Sequence, residues 1–205
     1  MPQESHPNIA LIIGSTRPNR FADVPAKWLL EAAGKRRDMT IETLDLRDWA
    51  LPFYEEPSTP SMTGGVFTNP VAERWRHKIG EFDGFIAVTA EYNHGPTAVL
   101  KNALDSALIE WADKPITFVA YGGAGGARAV EQLRTNAVEL QMAPIKQAVH
   151  IGLEPFIGVL MQGKSLDDYP FLEKSRTAML DRLVWWANAL KTARAASAET
   201  DSIAA

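Results

Sequence analysis

Ile9-Ala10-Leu11-Ile12-Ile13-Gly14-Ser15-Thr16-Arg17-Pro18-Asn19-Arg20 passes from a run of apolar residues into a short polar loop, and the helical pattern Val24–Arg37 follows. A brief apolar run bounded in this way reads as a buried strand, so the loop joins a first strand to a first helix. Backbone N–H groups at such a helix N-terminus point at whatever binds there. Ser15 and Thr16 add hydroxyl donors, and Arg17 and Arg20 add fixed positive charge whose planar fork suits phosphate oxygens. The chemistry is that of a phosphate cradle. The alternative is that Ser15 and Thr16 satisfy local backbone groups while both arginines are solvated. The common nucleotide templates fail. A P-loop starting at Gly14 needs Gly, Lys and Ser/Thr where Asn19, Arg20 and Phe21 stand, and the dinucleotide fingerprint needs glycine where Thr16 and Asn19 stand.

Outward from this loop, apolar runs alternate with amphipathic stretches, the pattern of βαβ units and a parallel sheet. Asp23 is the expected cap of the first helix, with Pro25 in its first turn. Strands are expected at Thr40–Leu46, Gly84–Thr89, Pro115–Tyr121 and, on a weak apolar pattern, Pro144–Ile151. Helices are expected at Pro70–Phe82 (capped by Asn69), Thr97–Glu110, Ala127–Met142 and Pro170–Arg194. Pro52–Asn69, rich in Pro, Gly, Ser and Thr, reads as a long loop, and residues 1–7 and 197–205 read as disordered tails. There is no internal repeat and no domain boundary, so residues 1–205 are expected to form one α/β domain with a doubly wound sheet.

In such sheets ligands bind beyond the carboxyl ends of the strands, at the switch in strand order. That rule selects Gly14–Ala22, Ala90–Pro96 and Gly122–Gly126, which are also the loops of oddest composition. Glu91-Tyr92-Asn93-His94 puts an aromatic, an amide and an imidazole at one strand end, able to present a ring and backbone N–H groups to a flat heterocycle. No Gly-x-Ser-x-Gly accompanies His94. It is therefore a hydrogen-bonding residue rather than a general base. Glu91 can accept from nearby loop N–H groups or from Lys101. Tyr121-Gly122-Gly123-Ala124-Gly125-Gly126 holds four glycines, more than a strand-to-helix turn needs, which favours close approach of a ligand to bare backbone.

Composition removes several function classes. The chain has 205 residues, 46% of them hydrophobic, and a net charge of −4, which gives no electrostatic case for nucleic acid. No apolar run spans a membrane, and the N-terminus lacks the pattern of a secretory signal, so a cytoplasmic protein is expected. With no cysteine there is no disulfide, thiolate site or cysteine nucleophile. The four histidines lack metal-ligand spacing. Glu55-Glu56 and Asp167-Asp168 read as solvated loop carboxylates. Trp185 and Trp186, adjacent on a helix, diverge by about 100° and cannot share one core. With Trp111 they suggest a subunit contact.

Taken together, Gly14–Arg20, Glu91-Tyr92-Asn93-His94, Val99-Leu100-Lys101-Asn102-Ala103-Leu104-Asp105 and Trp111-Ala112-Asp113-Lys114-Pro115, running on to Tyr121-Gly122-Gly123, resemble the NAD(P)H-dependent FMN reductase family of the flavodoxin-like fold. The resemblance covers roughly Asn8 to Leu140. It implies a five-stranded parallel sheet in order 2-1-3-4-5, non-covalent FMN, a homodimer or homotetramer, and transfer of hydride from NAD(P)H through FMN to a small-molecule acceptor: a flavin, quinone, azo compound or metal oxyanion. Carried over by residue, Ser15, Arg17, Asn19 and Arg20 hold the FMN phosphate. Glu91, Tyr92, Asn93 and His94 line the isoalloxazine ring, largely through backbone groups. Tyr121, Gly122 and Gly123 approach its pyrimidine side, and Lys101 and Asn102 brace the loop. The family often has Pro where Ala90 stands, a departure that loosens the start of the ring loop. The flavin does the chemistry, which accounts for a chain with no acid–base pair. Two rivals share the fold class. A flavodoxin-like electron carrier is disfavoured by the small acidic excess, and an NAD-binding enzyme with Asp45 on the ribose by the missing glycines.

Overall fold

The computed structural model describes residues 6–204, with side chains described through residue 197. Its sheet holds β1 (Asn8–Ile13), β2 (Thr40–Asp45), β3 (Gly84–Ala90), β4 (Pro115–Tyr121), β5 (Ala143–Pro144) and β6 (Val149–Ile151). The order is β2-β1-β3-β4-β5, with β6 also on β4, and every pairing is parallel. This is the doubly wound order expected, with the fifth strand split. Pro144 has no N–H to continue a ladder. The chain therefore leaves β4 after Ile116 and returns at Val119, with the Gln147 carbonyl turned to the Thr117 hydroxyl at 2.6 Å.

Parallel strands are covered on both faces and read as continuous apolar runs, and β3 and β4 are buried at every position. Strand alternation then sorts the core. Ile9, Leu11 and Ile13 face one way, against α1 (Asp23–Ala33) and α6 (Pro170–Ala204). Ala10 and Ile12 face α2 (Pro70–Gly80), α3 (Ala98–Asp105) and α4 (Ala127–Glu139). Asn69 caps α2 as expected, accepting from Val71 N and Ala72 N, with Pro70 at the first helical position. Thr97 caps α3 and donates its hydroxyl to the Gly14 carbonyl, tying that helix to the first loop. No helix among the described residues is long and apolar enough to cross a membrane.

Several expectations are corrected. Asp23 does not cap α1. Ala22 stands at the cap with no side-chain bond, because Arg20 takes the Asp23 carboxylate. The expected α3 stops at Asp105 and is followed by a separate 3-10 turn, Ile109–Trp111. An unexpected helix, α5 (Leu153–Met161), lies between β6 and α6, and α6 runs on through most of the stretch read as a tail. Residues 1–5 of the N-terminal tail lie outside the described residues, and Pro7 is buried. Trp111 is fully buried against Phe85, its indole N–H donating to the Leu104 carbonyl at 3.0 Å, so it belongs to the core and not to a subunit contact. Trp185 and Trp186 do diverge. Trp186 packs on the core while Trp185 is 54% exposed. Glu55, Asp167 and Asp168 are exposed as expected and Glu56 is half-buried, but Glu56 and Asp167 also hold partners. Glu56 accepts from Thr68 and Asn69, pinning the long loop, and Asp167 accepts from the Trp28 indole at 2.6 Å. Lys114 is buried and donates to the last carbonyls of α2, Ile79 and Gly80. Burial pushes its ammonium down to about 8.

Candidate active site

The three loops selected from the sequence meet at the carboxyl edge of the sheet. Gly14 N donates to Val88 O at 2.8 Å, and a Cβ on Gly14 would lie 2.7 Å from that oxygen, so glycine there lets loop one pack against β3. Ser15 is 1% exposed, and its hydroxyl has no hydrogen-bond partner within 3.5 Å, although it lies near enough to the Tyr121 phenol to act on it. Arg17 is exposed and rests over the Tyr92 ring, 5.9 Å from its centroid. Asn19 is exposed with φ 51°, a left-handed conformation that Asn tolerates better than most residues.

Arg20, expected on the phosphate, turns inward instead. Its Nε donates to Asp23 at 2.7 Å and its Nη1 to Ser15 O at 2.5 Å and Asp45 Oδ1 at 2.6 Å. Its Nη2 binds Asp45 Oδ2 and lies 2.6 Å from Asp23 Oδ1. Four of its five N–H donors are thus taken by Asp23, Asp45 and the Ser15 carbonyl, and its remaining Nη2–H lies beside the Asp23 carboxylate. Asp45 hydrogen bonds hold the Arg20 pKa above its ordinary range despite burial. The same contact holds the Asp45 carboxyl below its own. Arg20 therefore braces the loop. Arg47, not singled out from the sequence, adds a second brace by donating to the Arg17 carbonyl.

The second loop is a tight turn. Tyr92 N donates to Gly95 O and Gly95 N to Tyr92 O, both at 2.9 Å, with Asn93 at φ 49° and His94 at φ 72°. Tyr92, Asn93 and His94 are exposed, while the Glu91 side chain is only 5% exposed. Glu91 pairs with Arg128 and not with Lys101, which is turned to Asp105 at 2.7 Å. Asn102 braces the long loop, donating to the Pro52 carbonyl at 2.7 Å.

The glycines of the third loop divide. Gly122 has φ 145°, Gly125 φ 65° and Gly126 φ 70°, conformations that other residues resist. Gly123 alone has an ordinary φ and nothing within 4 Å of where a Cβ would lie. Chain conformation and packing do not require glycine at 123.

Arg17, Asn19, Arg20, Tyr92 and Tyr121 line a cleft of about 160 Å³, closed on one side by Phe156 and Leu160 of α5. The Phe156 ring stacks on Tyr121 at 6.1 Å and meets Phe21 edge-on at 4.7 Å. Burial pushes the Tyr121 phenol up to about 12, against smaller opposing effects of Ser15, Arg17 and Arg20. The two α5 residues escaped the sequence reading because Leu153-Glu154-Pro155-Phe156-Ile157-Gly158 carries both Pro and Gly and shows no clean helical period. Phe53 and Tyr54 of the long loop line a separate cavity of about 310 Å³ with Glu56 and Ser106, and Phe67 is buried.

The residues present fit the phosphate of FMN: a buried hydroxyl without a partner within 3.5 Å and an exposed arginine two residues on. Residues 7–154 match the family described as NADPH-dependent FMN reductase. The chain is similar to an NAD(P)H-dependent FMN reductase of Schizosaccharomyces pombe, 39% identical over 145 residues, which span 70% of this chain and 72% of that one. It is 34% identical to an NAD(P)H:quinone oxidoreductase of Solanum tuberosum over 71% of this chain and 72% of that one. Among solved structures, the flavoenzyme NAD(P)H:(acceptor) oxidoreductase FerB of Paracoccus denitrificans shares the fold, with a TM-score of 0.67 at 23% identity over 88% of this chain and 97% of that one. A sheet of this order, a loop fit for a phosphate and a match over residues 7–154 lead to one conclusion: the chain belongs to the NADPH-dependent FMN reductase family, NAD(P)H-dependent oxidoreductases that work through FMN.

Proposed function

We propose that Ser15, Arg17 and Asn19 hold the FMN phosphate, with Arg20 bracing their loop. The turn Tyr92–His94 and the backbone at Tyr121–Gly123 then receive the isoalloxazine ring. Bound FMN supplies the electron relay, taking hydride from NAD(P)H and passing the electrons to a second acceptor. The chain's own work is positioning. Arg17 offers charge-assisted bonds to phosphate oxygens. Among the described residues the Asn93, His94 and Gly123 N–H groups have no partner, and donors of that kind stabilise negative charge on a reduced ring. The acceptor is a small planar quinone, the class taken by the similar NAD(P)H:quinone oxidoreductase.

The observation that carries this reading is the Ser15 hydroxyl, buried and unpaired in the same turn as Arg17. An unsatisfied buried hydroxyl is a cost to the apoprotein and an asset only when a ligand meets it. Ser15→Ala is therefore expected to leave apoprotein stability unchanged or raised while weakening FMN roughly tenfold, and Arg17→Ala to weaken it roughly ten- to hundredfold. Titration of apoprotein with FMN, followed by flavin fluorescence, checks both. NADPH should bleach the wild-type holoenzyme, and a benzoquinone should restore its colour. Unchanged FMN affinity in both variants would overturn the phosphate site.

We also propose that residues 1–205 form one flavin-binding domain, acting in the cytoplasm as a homodimer or homotetramer. The support for assembly is Trp185, 54% exposed beside Trp186 on α6. Light scattering at micromolar concentration is expected to give a multiple of 22.5 kDa, and the monomer mass would remove the idea.

A further inference from the structure

Two neighbouring non-glycine residues in the left-handed region make the Tyr92–Gly95 turn a backbone that L residues resist. Such a conformation persists only where the surroundings over-determine it, and it clusters at ligand sites. The surroundings here come from α4. Arg128 Nη1 bonds His94 Nε2 at 2.8 Å, and a guanidinium has no acceptor, so His94 accepts there and carries its ring proton on Nδ1 when neutral. Gln132 Nε2 donates to the His94 carbonyl at 2.8 Å. Arg128 Nε donates to Glu91 Oε1 at 2.6 Å, and Arg128 Nη2 pairs with the same oxygen.

The Glu91 carboxylate does a second job. The N-cap of α4 is Gly126, which has no side chain to cap with, and Glu91 Oε2 accepts from Arg128 N at 3.0 Å in its place. Glu91 N also donates to Tyr121 O at 3.1 Å. Burial, the largest single effect, would raise the Glu91 pKa, but the bonds from Arg128 and from the Ala129 N–H together outweigh it and leave the carboxyl below its usual range. One carboxylate and one guanidinium thus join the ring-side turn to the first turn of the helix behind the glycine loop.

We propose that Arg128 is a positioning residue for the flavin: through Glu91 and His94 it sets the Tyr92–Gly95 turn against the glycine loop, and so fixes where the ring lies. The proposal rests on the placement of the ring between those loops. It assigns Glu91 and His94 side-chain roles in the clamp, leaving Tyr92 and the free backbone donors to face the ring.

The test uses Arg128→Ala and Arg128→Lys as full-length holoenzymes. Three readouts apply: the FMN dissociation constant, the visible circular dichroism of the flavin at saturating FMN, and kcat and KM for NADPH under the same saturation. Arg128→Ala is expected to raise the dissociation constant roughly tenfold and to shrink the visible band. At saturating FMN it should also lower kcat roughly ten- to hundredfold, the scale of a small misplacement of reacting groups. Lysine keeps a charge for Glu91 but not the fork that also reaches His94, so Arg128→Lys should fall between. A merely structural Arg128 would shift only the melting temperature. Wild-type dichroism and kcat in Arg128→Ala at saturating FMN overturn the proposal. His94→Asn keeps a residue that tolerates left-handed backbone but removes the imidazole that Arg128 holds, and it repeats the test, with a smaller effect in the same direction expected, should Arg128→Ala not fold. Wild-type dichroism and kcat in that variant overturn the proposal in turn. If Ser15→Ala and Arg17→Ala weaken FMN while Arg128→Ala does not, the clamp fails and the phosphate site stands. If none of them weakens FMN, the site itself is misplaced.

Discussion

Arg20→Ala is expected to destabilise the apoprotein by about 3–5 kcal/mol, the usual cost of removing one partner from a buried ion pair. The Arg20 side chain is 3% exposed, and Asp45 beside it is 23% exposed. Removing the guanidinium leaves Asp45 without its main partner, Asp23 without two bonds, and the Ser15 carbonyl without its donor. The loop from Ser15 to Phe21 then loses its tie to β2. Arg17→Ala gives the opposite signature. That side chain is exposed, so unfolding should be unchanged while FMN is lost. The pH dependence follows from the direction of the Asp45 shift. Its folded pKa lies below the unfolded value because Arg20 stabilises the carboxylate. That contribution is present above about pH 4 and disappears as the pH falls through the lowered folded pKa. Arg20→Ala returns Asp45 toward the ordinary range, so the variant should lose less stability than wild type between about pH 5 and pH 3. Urea unfolding of apoprotein across that range checks both effects. An Arg20→Ala protein that unfolds at the wild-type midpoint, yet binds FMN poorly, would put Arg20 back on the phosphate.

The inward turn of Arg20 marks where sequence reading stops. A loop with two arginines states that charge is present, but not which one is consumed internally. That depends on Asp45, 25 residues away, and only the β1–β2 register, with Ile13 opposite Asp45, brings the carboxylate to the loop. Local signals served well where the cause was local. Asn69-Pro70 starts α2, Thr97 starts α3, and the apolar runs of β3 and β4 announce buried parallel strands. The missed features are non-local or ambiguous in pattern. Arg128 meets Glu91 across 37 residues of sequence. The α5 helix hides behind Pro155 and Gly158. Trp111 gives the same sequence signal whether it fills a core or a subunit contact, and only packing against Phe85 distinguishes the two.

The four glycines after β4 look alike in the sequence but should not behave alike when replaced. Gly126 has φ 70°, and a Cβ there would lie 2.4 Å from Ala120 Cβ and 3.0 Å from Tyr121 N. Both neighbours sit in β4 and cannot swing aside as a flexible side-chain tip would. Left-handed backbone costs an L residue about 1–2 kcal/mol, and forcing an extra carbon into packed surroundings costs about 1–3 kcal/mol more. Gly126→Ala should therefore lose about 2–5 kcal/mol, seen as an earlier urea midpoint in the apoprotein. Gly123→Val should do the reverse. Its φ is ordinary and the space beside it is open, so stability should stay within about 0.5 kcal/mol of wild type. If that space is where the flavin ring comes close to the backbone, the valine occupies it, and FMN affinity should fall roughly tenfold or more. The pair separates glycine needed by the chain from glycine left bare for the ligand. A Gly123→Val protein with wild-type stability and wild-type FMN affinity would mean that the ring lies elsewhere, even if Ser15 and Arg17 still hold the phosphate.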